Sequence, residues 1–391
     1  MKIAKILVGD PTNKKGMFNN ILERTKHLML VEPDVDCYMI RIEYGFILGF
    51  LKKKTPKCKR EEFTLVDGVK FKNLWLKMDF FSYLITHYLH KRIVICPKKL
   101  KQYSNLFKNY DLLSTHGIEA HYLSVLVKEK YQIPFVATWH GSDINITPFH
   151  TIQTKCEVKK ILDMADHNFF VSEKLMKISD KISKDASKGV LYTGPAKNFY
   201  RFSNEKIKQL RDKYQIKTTY IVGFIGNIVE IKNVLILPAL FKEIQKRLNN
   251  DVSFIVVGDG NLDSKLEQKF CEQQINNLYL MGKKEPEEVP DIMNSLDLLV
   301  LPSLNEGLPR VTLEAQACGV CVVGSNRGGI PEAIGSENCF ELDGNFVHNV
   351  ANRTIELLSG KRDILQLPEK FSWDTAIKKE LSVYHSLNNI F

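Results

Sequence analysis

The chain has 391 residues, 44% of them hydrophobic, which is the length of two or three domains with enough apolar side chain to give each a core. No apolar run approaches the roughly 18–20 residues of a membrane span, and the apolar part of MKIAKILVGDP is too short for a signal peptide, so a cytoplasmic protein is expected. The net charge of +10 lies in the first half: residues 1–200 hold 33 Lys+Arg against 20 Asp+Glu, and the rest 22 against 25. A basic half suits an anionic membrane or a phosphate-bearing substrate. Nucleic acid is set aside, because no helix-turn-helix, zinc-finger or RNP-like signature accompanies the charge.

In chain order, the first half reads as the strands KIAKILV, DCYMIRI, LLSTH, PFVATWH, HNFFVS and GVLY, with DGVKFKNLWLK as a further strand. Short β-branched runs alternating with helical patterns predict βα units and parallel sheets. After the first strand comes the loop Gly9 to Asn20, in which Gly16 supplies flexibility and Lys15 charge. Asp34 and Asp36 form a D-x-D, read as a surface turn. From Tyr44 to Arg60 an apolar run too short to span is followed by six basic residues among nine. Such a run is usually a solvated face, but an apolar segment beside it is the two-signal pattern of a membrane anchor. His116 and His140 each end a strand, at the edge where open α/β sheets bind ligands; a lone histidine is otherwise more often structural. Thr193 to Phe202 reads as the linker.

The second half gives TYIVGFIG, VSFIVVG, NLYLMG, LDLLVLPS, VCVVGS and NCFEL. Its first strand runs into FIGNIVEIKN, where a glycine loop with Lys232 before a helix suits a diphosphate, though a loop lysine can also be merely solvated. VVGDGNL is a strand followed by G-x-G, weak by itself. SLNEGLPRVTLEAQACG carries two carboxylates, Glu306 and Glu314, on either side of a turn through Gly307, Leu308 and Pro309 into a helix. Pro309 suits the first helical turn. Unpaired N–H groups and the helix dipole there make an anion site, so hydroxyl acceptors would flank a phosphate cradle, although acidic residues near a helix start are common surface charges. Of the eight cysteines, Cys318 and Cys321 form a lone C-x-x-C without the second pair that a zinc ribbon needs, so two reduced core residues are expected. FSWDTAIKKELSVYHSL has helical apolar spacing.

EGLPRVTLE resembles the E-x7-E signature of family 4 glycosyltransferases, retaining enzymes of the GT-B fold. The likeness continues in VGDGN, in MGKKEPEEVPDIMNSLDLLVLPS, in GGIPE and, more loosely, in THG and TWHG. It implies an α/β chain of GT-B type, two doubly wound Rossmann-like domains facing across a cleft. The expected domains are residues 1–198 for the acceptor, 199–372 for the nucleotide sugar, and 373–391 as a helix crossing back to the first. It further implies transfer of a hexose-type sugar from a nucleotide diphosphate sugar, UDP favoured over GDP, to a glycan or lipid-linked acceptor in cell-surface polysaccharide synthesis. No cofactor and no metal ion are implied. By the same resemblance Glu306 orients the donor sugar, Glu314 the ribose, Lys232 the diphosphate, and His140 faces the reacting sugar, with His116 second. Gly16, Asn227, Gly282, Lys283, Gly307, Leu308 and Pro309 complete the donor site. Asn227 stands where the family has arginine, TGPA where NGVD is common, and only Gly16 keeps the Gly-Gly loop. Two alternatives stand beside this reading: a GT-B epimerase or phosphorylase, which would share the fold, and a non-catalytic nucleotide-sugar-binding protein, which Asn227 and the altered TGPA suggest. The basic first half adds the expectation of peripheral docking on the inner face of the membrane.

Overall fold

A computed structural model describes residues 1–11, 16–51, 60–360 and 367–388. The chain divides into two units, one of Met1–Thr193 with Trp373–Phe391 and one of Gly194–Ser372.

The first unit is a sheet of eight strands: β1 (Ile3–Val8), β2 (Val35–Tyr44), β3 (Phe63–Val66), β4 (Val69–Met78), β5 (Leu112–His116), β6 (Phe135–Trp139), β7 (His167–Phe170) and β8 (Lys188–Val190). They lie in the order β3-β4-β2-β1-β5-β6-β7-β8. Every residue of β5 and β6 is buried, as expected of central parallel strands covered on both faces. From β1 the chain works outward through β2 and β4, then restarts on the other side of β1 with β5, which makes the carboxyl ends of β1 and β5 a topological switch point.

One strand departs from the sequence reading. β3 pairs antiparallel with β4, so the sheet is not purely parallel. Asp67 and Gly68 both have positive φ, 45° and 85°, and close a two-residue hairpin between them. Asp-Gly is the sequence signal of such a turn, and it belongs to the hairpin rather than to the start of a strand. The D-x-D reading is also corrected: Asp36 lies within β2, and its carboxylate accepts the Tyr110 hydroxyl at 2.5 Å.

The helix Trp373–Asn388 belongs to the first unit. Its buried stripe of Trp373, Ala376, Ile377 and Tyr384 joins Phe18, Ile21, Leu22 and Leu28 of the helix Gly16–Val31 in one core over β1. That spacing, about one turn between members, is what places them on one face. Glu380 lies on the same stripe and is fully buried.

The second unit has six parallel strands: β9 (Tyr220–Ile225), β10 (Val252–Val257), β11 (Leu278–Gly282), β12 (Leu298–Leu301), β13 (Cys321–Ser325) and β14 (Cys339–Phe340). Their order, β11-β10-β9-β12-β13-β14, is that of a Rossmann sheet, with its switch point between β9 and β12. Its core is aromatic on one face, where Phe241 stacks on Phe254 at 4.4 Å and on Phe270 at 5.6 Å. Cys318 is buried, and its sulfur accepts an N–H from Asn294 at 3.2 Å.

Candidate functional site

In the second unit, the loops after β9 and β12 meet at the switch point. Lys232 lies in a short turn, Glu230–Lys232, ended by Asn233 in the left-handed conformation. The backbone N–H of Leu304 donates to the carbonyl of Ile231 at 2.8 Å, tying the two loops together. Across that tie the Lys232 ammonium is ion-paired with the Glu306 carboxylate, with side chains 21% and 14% exposed. Glu306 is pinned from the other side, since its carbonyl accepts from Gly329 at 3.0 Å. A Cβ on Gly328 would lie 2.0 Å from that carbonyl, and Gly328 has φ +57°, so only glycine fits.

Gly307, Leu308 and Pro309 lead from Glu306 into the helix Arg310–Ala317. Pro309 is the N-cap residue, with ψ 106°, one position earlier than the first helical turn that the sequence suggested. Glu314 sits one turn into the helix, 3.4 Å from the Arg310 guanidinium. Burial pushes its carboxyl up from the usual range, and Arg310 opposes that shift.

Asn227 is exposed on the loop after β9. That loop interlocks with the one after β10: the N–H of Ile228 donates to Asp259, and Cβ atoms on Gly258 and Gly260 would fall 1.9 and 2.1 Å from the carbonyls of Gly226 and Ile228. The glycines of VGDGN therefore serve backbone packing behind the site. Gly282 has φ +63°, and its carbonyl accepts from Gly258 at 2.9 Å, which brings the end of β11 to the same edge. Lys283 is exposed there, and the neighbouring Lys284 pairs loosely with Glu288 at 3.8 Å.

The first unit carries the two histidines at the carboxyl ends of β5 and β6. His116 Nδ1 and His140 Nε2 are 3.0 Å apart, with His116 fully buried and His140 half-buried. Asp143 anchors the turn after β6 by accepting the N–H groups of His140, at 3.0 Å, and Gly141, at 2.7 Å. Burial, reinforced by the charges of Arg24 and Lys5, holds the His140 imidazole down at about 3. His116 is likewise held well below its ordinary value, chiefly by burial and then by Lys5 and Arg24. Gly16 begins the helix after β1, and Lys15 lies outside the described residues.

The structure thus brings Lys232 to Glu306 and His116 to His140. The sequence reading missed the charged cluster beneath the histidines, formed by Lys5, Arg24 and Glu380. Its signal was present: each of the three is a charge at a position that the apolar pattern assigns to the core.

Residues 206–372 match the family model of glycosyl transferases group 1. The likeness is not confined to that stretch. An uncharacterized glycosyltransferase of Methanocaldococcus jannaschii is 27% identical over 313 residues, 75% of this chain and 83% of its own. That span is longer than the second unit and so takes in part of the first. A UDP-Gal:alpha-D-GlcNAc-diphosphoundecaprenol alpha-1,3-galactosyltransferase of Escherichia coli is 27% identical over 282 residues, 63% of this chain and 66% of its own. Among solved structures, Anabaena HepE in complex with UDP superposes over 99% of this chain and 100% of its own, with a TM-score of 0.71 and 17% identity. The fold is GT-B.

Proposed function

We propose that the protein is a retaining glycosyltransferase that moves a hexose-type sugar from a nucleotide diphosphate sugar, UDP-sugar before GDP-sugar, to a lipid-linked or glycan acceptor in cell-surface polysaccharide synthesis. The observation that carries this reading is the Lys232–Glu306 ion pair, set at the switch point of a Rossmann sheet just before the helix that holds Glu314. A carboxylate and an ammonium there suit a sugar hydroxyl and a diphosphate, and the second carboxylate suits a ribose. Support for the donor and acceptor classes comes from the names of two similar proteins, one bound to UDP and one acting on a diphosphoundecaprenol-linked sugar.

In this reading the donor-binding residues are Asn227, Lys232, Gly282, Lys283, Gly307, Leu308, Pro309 and Glu314 of the second unit, and Gly16 is assigned to donor binding by the family resemblance. The first unit takes the acceptor. On donor binding, Lys232 exchanges part of its interaction with Glu306 for the diphosphate, and the helix N-terminus before Val311 adds its dipole. Charge developing on the departing diphosphate is stabilised by both, as preorganised groups stabilise a leaving group. Glu306 orients the sugar, and His140, neutral at working pH, donates or accepts a hydrogen bond beside the anomeric carbon. Front-face departure and attack on the same side would account for retention.

A thermal-shift panel of UDP, GDP, ADP and their sugars tests the donor assignment, since a ligand that binds only the folded state raises its stability with occupancy. Stabilisation by UDP and UDP-hexoses above the others is expected, and indifference to all nucleotides overturns the reading. The exposed Asn227, where the family has arginine, favours one second reading, a protein that binds a nucleotide sugar without turning it over. Slow release of UDP from a stabilising UDP-sugar separates the transferase from the inert binder.

A further inference from the structure

The sheet edge that carries the histidine pair also carries a guanidinium whose donors are almost unspent. Arg41 lies near the carboxyl end of β2, in register with Trp75 on β4, so the two side chains share a face of the sheet. Met39 and Phe71, further back on the same strands and the same face, belong to the core shared with the helix Gly16–Val31. Beyond that core the face turns polar, and the Arg41 guanidinium lies over the Trp75 ring, 4.5 Å from its centroid.

Trp75 is a fixed platform. Its indole N–H donates to the Glu61 carbonyl at 3.0 Å, its backbone N–H donates to the Tyr103 hydroxyl at 3.1 Å, and that hydroxyl donates to the Trp75 carbonyl at 3.0 Å. The Arg41 side chain is only 11% exposed. Of its N–H groups, one has a hydrogen-bond partner among the described residues, Thr64 Oγ1 at a long 3.4 Å, and that oxygen already accepts from Asn73 at 2.7 Å. Asp10, on the loop after β1 and 55% exposed, comes to 3.9 Å, an ion pair beyond hydrogen-bond reach. A guanidinium carries five N–H donors, and withdrawing it this far from water is costly unless those donors meet an acceptor.

We propose that Arg41, laid on Trp75, is the subsite for a phosphate group of the acceptor. Its planar fork can take two phosphate oxygens side by side, and the ring fixes the plane from which they must come. Phosphate is favoured over carboxylate because one carboxylate, Asp10, already lies at 3.9 Å, and a ligand that outcompetes it must bring more charge, as a phosphate of about −1.5 to −2 does. The site is also placed for an acceptor. β2 and β5 flank β1, so Arg41 and His116 stand two strand spacings apart, about 10 Å, on one face and at one edge of the sheet. That the phosphate belongs to the acceptor rests on the function proposed above.

The chain has three tryptophans, and Trp139 and Trp373 are buried, so Trp75 can report on its own surroundings. Inorganic phosphate titrated into the full chain, with and without saturating UDP, should change the tryptophan emission saturably in both cases, and Trp75→Phe should abolish the change. Arg41→Gln should weaken phosphate about tenfold or more, the scale of lost charge-assisted hydrogen bonds. Asp10→Asn should tighten it about fivefold by removing a competing negative charge. An arginine that merely covers a tryptophan would bind no phosphate and would not respond to Asp10. Glucose 6-phosphate and farnesyl diphosphate, titrated in the same way, separate a soluble acceptor from a lipid-linked one by which of them binds more tightly. No saturable change in the native protein, a change that survives Trp75→Phe, or no tightening in Asp10→Asn overturns the inference, and these arms decide even if Arg41→Gln fails to fold. Phosphate binding with no binding of UDP would instead overturn the proposed function and leave the subsite standing.

Discussion

Glu306 and Glu314 each have a cationic neighbour, yet their removal should have opposite effects on the nucleotide. Glu306→Ala releases Lys232 from its ion pair, so UDP should bind no more weakly than to the native protein while kcat falls about 100-fold, the scale of one lost oriented contact to the reacting group. Glu314→Ala should instead weaken UDP binding about tenfold or more, since a hydrogen bond to a charged group is worth about 1.5–3 kcal/mol. Titration calorimetry with steady-state kinetics reads both, and a matching loss of affinity in the two variants would refute the division of roles. Asn227→Arg should tighten UDP binding, because the exposed side chain has room for a guanidinium and that group adds charge-assisted contacts. A loss in affinity would mean that this loop does not approach the diphosphate. At this scale the sequence was legible for Glu306, Glu314, Lys232 and His140 as members of motifs. It was silent on their pairing, because Lys232 and Glu306 lie on loops after different strands and only the sheet order brings them together.

Glycine packing fixes the loops that carry these residues. Gly328→Ala would put a methyl group against the Glu306 carbonyl in a left-handed backbone, a strain on the order of 1–3 kcal/mol. Calorimetry should show the unfolding temperature lowered by a few degrees, and kcat should fall as Glu306 shifts. Gly344→Ala, which meets no atom within 4 Å, serves as the control and should leave both unchanged. Equal stability of the two variants would show that the loop relaxes without cost. The βα alternation was readable from the sequence because buried parallel strands leave continuous apolar runs. The hairpin of β3 and β4 was misread for the same reason, since the exposed FTLV segment has no such run and its Asp-Gly turn was the cue.

For the whole chain, the buried neutral histidines predict acid sensitivity. His121 and His140 titrate at about 3 in the fold against about 6.5 when unfolded, and His116 shifts the same way. The unfolded chain therefore binds more protons throughout that window, and stability is full above about pH 6.5 and declines as pH falls toward 3. Each such histidine contributes about 1.4 kcal/mol per pH unit. Urea unfolding followed from pH 7 to 5 should show this slope, and His121→Asn should flatten it; a stability independent of pH would contradict the buried neutral state. Membrane docking is a separate expectation. No helix among the described residues is long and apolar enough to cross a bilayer. Phe46, Phe81, Tyr88 and Ile152 are 72–84% exposed on the first unit, and the basic run from Lys52 to Lys59 lies outside the described residues. Sedimentation with anionic vesicles should show binding that falls at high salt and on replacing Lys52, Lys53 and Lys54 by glutamate, each basic residue being worth about 1 kcal/mol at such a surface. Equal recovery with neutral and anionic vesicles would point to a soluble acceptor.

What the sequence determined by itself was local: strand and helix periods, glycine loops at strand ends, and the two carboxylates around a helix start. These are readable because their physics acts within a few residues, through side-chain alternation, turn conformation and the helix dipole. The tertiary structure alone decided which strand ends share an edge, and hence which charges meet. Lys5, Arg24 and Glu380 show the difference most clearly. They are separated by as many as 375 residues, and each alone reads as an anomaly in an apolar stripe. Only when the C-terminal helix is laid over β1 do they become a cluster, because a buried charge is tolerable where the fold supplies a partner and the chain pattern cannot say where that partner will come from.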